Sequence, residues 1–253
     1  MRLFQSIILA GSLAAVLMSC EKKVVTQLET ESNFGKGNLK IIHASAYITN
    51  YSVRLKVNDQ WVSSVITNAT PFPGGGLNTG GSSSPWYLAL NPGNAKISLI
   101  IPKVGTGVDS VVLYTGTVNL EHDKYYSAYL TDTAATTQLV FITDNIEAPA
   151  SDVSRFRFVN LMPNQPSLDL YWGANKVASD IQYTLPSPEF TLPRGDTARW
   201  YIRPAGAAAN TNPIASYPTS QTIPPQRVMT VFARGYNGGT GNRAPNVSLL
   251  YNY

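Results

Sequence analysis

From Leu39 onward, apolar and polar residues alternate with a period of two. Val53, Leu55 and Val57 are interleaved with Arg54 and Lys56. Ile97, Leu99 and Ile101 are interleaved with Lys96, Ser98 and Ile100, and Tyr125, Ser127 and Tyr129 with Tyr126, Ala128 and Leu130. A period of two sends successive side chains to opposite faces of an extended chain. Runs rich in Val, Ile, Thr and Tyr, bounded by Gly, Pro and Asn clusters, therefore predict β-strands. No window of helical length beyond the N-terminus carries an apolar stripe at 3.6-residue spacing. The expected fold class is all-β.

The strand pattern runs twice. Leu39-Lys40-Ile41-Ile42-His43 aligns with Phe156-Arg157-Phe158-Val159-Asn160, and residues 52–58 align with 167–173. Leu90-Asn91-Pro92-Gly93 matches Leu192-Pro193-Arg194-Gly195, and residues 124–129 match 227–232. Each half closes on an apolar strand, at residues 138–143 and 246–253. About 100 residues with some seven strands suits an immunoglobulin-like sandwich. Two tandem Ig-like β-sandwich domains are expected, at 38–147 and 154–253, with the boundary at 146–153 where Pro149 and small residues interrupt the apolar pattern. One continuous sandwich or barrel is the alternative that the pattern leaves open.

Lys40-Ile41-Ile42-His43-Ala44-Ser45, followed by the Val-x-Leu-x-Val strand at 53–57 and the Asn58-Asp59 turn, resembles the opening of a bacterial envelope domain known as domain of unknown function 4397. The resemblance covers residues 38–145 and, more loosely, 155–236. It implies tandem β-sandwich repeats on exported proteins. It brings no established activity, so no catalytic residue carries over. The family's second strand usually holds an aspartate; Asp169 stands there in the second half and Arg54 in the first.

The N-terminus has a different character. Arg2 precedes an apolar stretch at residues 7–18, shorter than the roughly 20 residues a membrane-spanning helix needs. It fits the apolar core of a secretory signal. Leu17-Met18-Ser19-Cys20 then resembles a bacterial lipobox: Ser19 is small enough for a peptidase that cuts before the cysteine, and the Cys20 thiol can take a diacylglycerol group. Residues 1–19 are thus a lipoprotein signal peptide, Cys20 the lipidation site, and 20–37 a flexible tether. Two or three acyl chains of the palmitate class, at about 0.8 kcal/mol per buried CH₂, anchor stably where one would not. The expected location is the outer membrane of a Gram-negative envelope, on its periplasmic or surface face.

Composition narrows the chemistry. The 253 residues include one cysteine and two histidines, and 13% are charged, against about 25% in an average soluble protein. One cysteine excludes an intramolecular disulfide or a Cys-based metal cluster. The net charge of +4 has no run longer than Lys22-Lys23, so nucleic-acid binding has no footprint. His43 reads as a strand histidine and His122 as a turn residue. Gly81-Ser82-Ser83-Ser84 lacks the glycine pattern of a nucleophile elbow. A monomer without cofactor, metal or catalytic residues is expected.

Candidate binding residues come from the aromatic positions. Residues 68–86 place five glycines between Phe72 and Trp86, and loops beyond about 12–15 residues are usually functional or disordered. Phe72, Trp86 and Trp172 are candidate faces for a sugar ring or a protein partner. Asp132-Thr133-Ala134, Asp196-Thr197-Ala198 and Asp109-Ser110-Val111 match an Asp-Ser/Thr-aliphatic acceptor pattern for O-glycosylation, which makes Thr133, Thr197 and Ser110 candidate modification sites. The function expected is a non-catalytic, lipid-anchored envelope protein acting as a binding or adhesive module. A glycan-binding surface lipoprotein that assists polysaccharide uptake is the alternative.

Overall fold

The alternating pattern resolves into four principal β-sheets stacked face to face. The computed structural model describes residues 34–47, 49, 52–103, 108–133 and 136–253; the expected signal peptide, Cys20 and nearly all of the tether lie outside them. The first sheet holds β2 (Arg54–Val57), β3 (Gln60–Trp61), β7 (Gly93–Lys103) and β8 (Val108–Leu120), in the order β3-β2-β7-β8. The second holds β1 (Gly37–His43), β4 (Pro71–Phe72), β6 (Leu88–Leu90), β9 (Tyr125–Thr131) and β10 (Gln138–Asp144). In the third, β5 (Gly76–Leu77), β11 (Val153–Asn160), β14 (Phe190–Pro193), β19 (Val228–Arg234) and β20 (Asn246–Tyr251) run in the order β14-β11-β19-β20-β5. The fourth holds β12 (Ser167–Trp172), β13 (Asn175–Gln182), β16 (Trp200–Pro204) and β17 (Ala215–Ser216). A small ribbon pairs β15 (Thr197–Ala198) with β18 (Gln221–Thr222).

Three buried clusters hold the layers together. Leu39, Ile41, Ala128 and Leu130 of the second sheet pack on Leu55, Ile97 and Leu99 of the first. Phe156, Phe158, Met229 and Leu249 of the third pack on Leu168, Leu170, Trp200 and Ile202 of the fourth. Between them, Ile42, Tyr129, Val140 and Ile142 of the second sheet meet Val159, Leu161, Phe232 and Leu250 of the third. The two inner sheets are thus covered on both faces, and every residue of β1 is buried. Strands covered on both sides can use apolar residues at odd and even positions alike. That is why Leu39-Lys40-Ile41-Ile42 departs from strict alternation.

The two halves are wired alike. β1 pairs in parallel with β9, which pairs antiparallel with β10; β11 pairs in parallel with β19, which pairs antiparallel with β20. The second strand of each half, β2 or β12, lies in the outer sheet against β7 or β16.

The glycine-rich segment 68–86 is an ordered strap between the halves. β4 pairs with β1 through Ile41 and Phe72, and five residues later β5 pairs with β20 through Leu249 and Leu77. Asn78 Nδ2 donates to Val247 O at 2.7 Å, and Tyr251 N donates to Gly75 O at 2.6 Å. A strand from the first half therefore completes the third sheet. Gly75 has φ +100°, and a Cβ there would stand 2.8 Å from Lys40 Nζ and 3.1 Å from Tyr251 O. Only glycine fits that approach.

Candidate functional site

The contact between the inner sheets, here called the seam, is apolar at one end and ionic at the other. Alternation along β9 points Ser127 and Tyr129 toward the third sheet; along β11 it points Arg157 and Val159 toward the second. Asp144 ends β10, and its Oδ1 accepts from Arg157 Nη2. Its Oδ2 accepts from Ser127 Oγ at 2.6 Å and from Tyr87 OH at 2.9 Å. Arg157 also donates from Nη1 to Thr143 O at 2.9 Å and from Nε to Thr230 Oγ1 at 3.1 Å. Thr230 donates in turn to Asn252 Oδ1 at 2.9 Å. Every charged member of this network meets a partner, as a buried charge must.

Lys40 enters the same region from β1. Its ammonium lies 4.1 Å from the centroid of the Tyr87 ring and donates to Tyr251 O. Burial pulls its pKa down to about 7, against the opposing pull of Asp144. Tyr87 is pushed well above the usual phenol range, first by burial and then by Asp144. Burial alone would lower the Arg157 pKa, but the charge of Asp144 and its hydrogen bond outweigh it and hold the guanidinium charged. At neutral pH the region is thus built on one carboxylate–guanidinium pair, with an amine poised to lose its proton.

Sequence reasoning missed this network. Its signal was present as Lys40 and Arg157, each between apolar neighbours at the same position of the two opening strands. Such residues read as solvent-facing only when the outer side of the strand is taken to be free.

The residues singled out from sequence fall in different places. Trp86 is 56% exposed at the end of the strap. Phe72 is half-buried and packs against the core between the first and second sheets. Trp172 is overturned as a ligand face: it is 2% exposed, its ring lies 4.6 Å from that of Trp200, and its Nε1 donates to Asp196 Oδ2 at 2.8 Å. It faces inward because even-numbered residues of β12 point into the core. The structure therefore does not bring the three aromatics together.

Thr133 is half-exposed beside Asp132, whose Oδ1 accepts from Thr133 N at 2.8 Å. Thr197 is exposed, with its hydroxyl 2.9 Å from that of Thr222. Ser110 lies in β8. Asp169 is fully buried; it accepts from Asp180 N at 2.8 Å and Gly206 N at 3.1 Å and pairs with Lys176 at 2.6 Å, which makes it a tie for the backbone around it. His43 is buried against Tyr47, and His122 occupies the turn before β9. Among the described residues no group of three His, Cys, Asp or Glu side chains is placed to hold a metal, and no helix is long and apolar enough to cross a membrane.

Fold and seam together define an all-β protein of stacked sandwich layers. The chain belongs to the family described as Domain of unknown function (DUF4397), whose profile matches residues 37–171. That span runs from β1 to Tyr171 of β12 and so crosses the seam. No curated protein matches the chain. Among solved structures, the Bacillus anthracis TIE protein shares 11% identity at a TM-score of 0.22, over 80% of this chain and 34% of its own. The present chain therefore spans about a third of that protein. A structure of a streptococcal virulence factor that binds α-glucan shares 10% identity at a TM-score of 0.22, over 81% of this chain and 95% of its own. At these TM-scores the likeness bears on neither fold detail nor function.

Proposed function

We propose that this protein is a non-catalytic, lipid-anchored component of a Gram-negative cell envelope that acts as a monomeric binding or adhesive module. Cys20 carries the lipid at the outer membrane, and two tandem Ig-like units, 38–147 and 154–253, stand beyond the tether. The matching wiring of the two halves supports the tandem reading.

One observation carries the binding reading. Trp86 presents its indole to solvent at the end of a strap whose backbone is already tied to both inner sheets. An aromatic on a fixed backbone loses little conformational freedom on binding, and tryptophan is enriched among residues that dominate interfaces. Val111 and Val112, 50% and 53% exposed on the edge strand β8, add apolar contact area. The inner sheets are covered on both faces, so partners are met by loop tips, strand ends and the outer sheets. Thr133, Thr197 and Ser110 remain candidate glycan acceptors.

Photocrosslinking in living cells tests the reading. With p-benzoylphenylalanine replacing Trp86, an envelope adduct is expected that is missing when the same group replaces the exposed Thr117. No adduct at position 86 overturns contact through the strap.

A further inference from the structure

At the ionic end of the seam, the space beside β9 and β10 opens as a cleft of about 510 Å³, within the range of small-ligand sites. Asp123, Lys124, Tyr125, Thr143, Asn145 and Glu147 are among its lining residues. They come from the turn before β9, the start of β9, the end of β10 and the linker into the second half. The register that sets Tyr125 opposite Asp144 puts both on the seam face of the second sheet.

The walls are fixed before any ligand arrives. The Tyr125 ring stands edge-on to Tyr87, with centroids 5.1 Å apart and planes at 85°. Tyr87 is itself held by Asp144. Asp123 Oδ1 accepts from Gly35 N at 2.6 Å, which leaves Oδ2 for another donor. Asn145 Oδ1 accepts from Glu147 N at 3.1 Å, which leaves the amide protons to donate. Arg155 Nη2 ties the linker backbone by donating to Asn145 O at 3.1 Å and Glu147 O at 2.6 Å.

We infer that this cleft is a subsite for an uncharged hexose unit of a glycan. The argument rests on the donor and acceptor set. Asp123 and Glu147 accept, and Lys124 and Asn145 donate. Vicinal sugar hydroxyls each donate and accept, so they need both kinds of partner side by side. The apolar C–H face of a pyranose ring matches the half-exposed Tyr125 side chain, with Ile146 beside it. The Asp123 and Glu147 carboxylates oppose an anionic sugar, and Lys124 beside them offsets part of their pull on a cation. The inference rests on the binding-module reading but not on Trp86 as the contact.

The test uses the full-length chain in detergent with neutral tetrasaccharides of glucose, mannose or galactose at millimolar concentration. Saturation-transfer NMR is expected to show contact to ring C–H protons for at least one of them. Tyr125→Ala is expected to weaken that binding about tenfold, the loss of one aromatic contact. Glu147→Gln, at an exposed position that leaves packing intact, is expected to weaken it several-fold, while Thr117→Ala, on the outer strand β8, leaves it unchanged. Failure of every tetrasaccharide to bind overturns the subsite. So does binding that survives both cleft variants; in that case the binding-module reading stands and only the cleft falls.

Discussion

Arg157 of β11 donates to Asp144 of β10 across the seam, with 8% and 5% of the two residues exposed. The pair joins the last strand of the first half to the first strand of the second. Removing one partner of a buried ion pair leaves a charge stranded and costs about 3–5 kcal/mol, whereas removing both costs much less. Arg157→Met is therefore expected to lower the unfolding free energy by about that amount. Adding Asp144→Asn should restore part of it, because the amide keeps Tyr87 as a neighbour without a net charge. Urea denaturation of the two variants checks this; an Arg157→Met chain as stable as the parent would show that the pair is solvated.

The strap makes a separate claim about glycine. Gly75→Ala adds a methyl group 2.8 Å from Lys40 Nζ and 3.1 Å from Tyr251 O, at φ +100°. Gly238 also has positive φ, but a Cβ there meets nothing within 4 Å. Gly238→Ala is expected to cost only the backbone strain, about 1–3 kcal/mol. Gly75→Ala should cost more, because it also pushes the strap off β20. Equal losses in thermal unfolding would mean that β5 is not tightly held.

The outer layers were legible in the sequence because each has one face in water. Val53, Leu55 and Val57 point inward and Arg54 and Lys56 outward, so a period of two sufficed. The inner layers were harder. Ile42 and Val159 are apolar at positions where a free-standing sandwich has polar residues, and Lys40 and Arg157 occupy neighbouring positions on the same faces. That mixture encodes a covered face with one ionic corner, which no single strand reveals. The strap failed for another reason: its partner, β20, lies more than 160 residues away, beyond any local pattern. Trp172 was misplaced because alternation in β12 was not followed as far as its last residue.

The lipid anchor predicts an outcome independent of the fold. A chain acylated at Cys20 takes up an alkynyl palmitate analogue during growth, and its mature N-terminus begins at the modified cysteine. Cys20→Ser is expected to abolish the label and leave residues 1–19 attached, both visible in an intact-mass spectrum. Labelling that persists in Cys20→Ser would overturn the assignment, since the sequence holds no other cysteine.

His43 sets a pH limit on stability. Its ring lies 5.4 Å from that of Tyr47, and Nδ1 has no hydrogen-bond partner among the described residues. Burial lowers the pKa from 6.5 to about 4. Between those values the unfolded chain binds a proton that the folded chain refuses. The stability that neutral His43 supports is thus fully present above pH 6.5 and is lost as pH falls toward 4. The loss should approach about 1.4 kcal/mol per pH unit inside that window and level off below it. His43→Asn cannot titrate, so its unfolding free energy relative to the parent should stay constant above pH 6.5 and shift in its favour between pH 6.5 and 4. Parallel curves for the two chains down to pH 4.5 would mean that the ring is reached by water and protonates freely in the folded state.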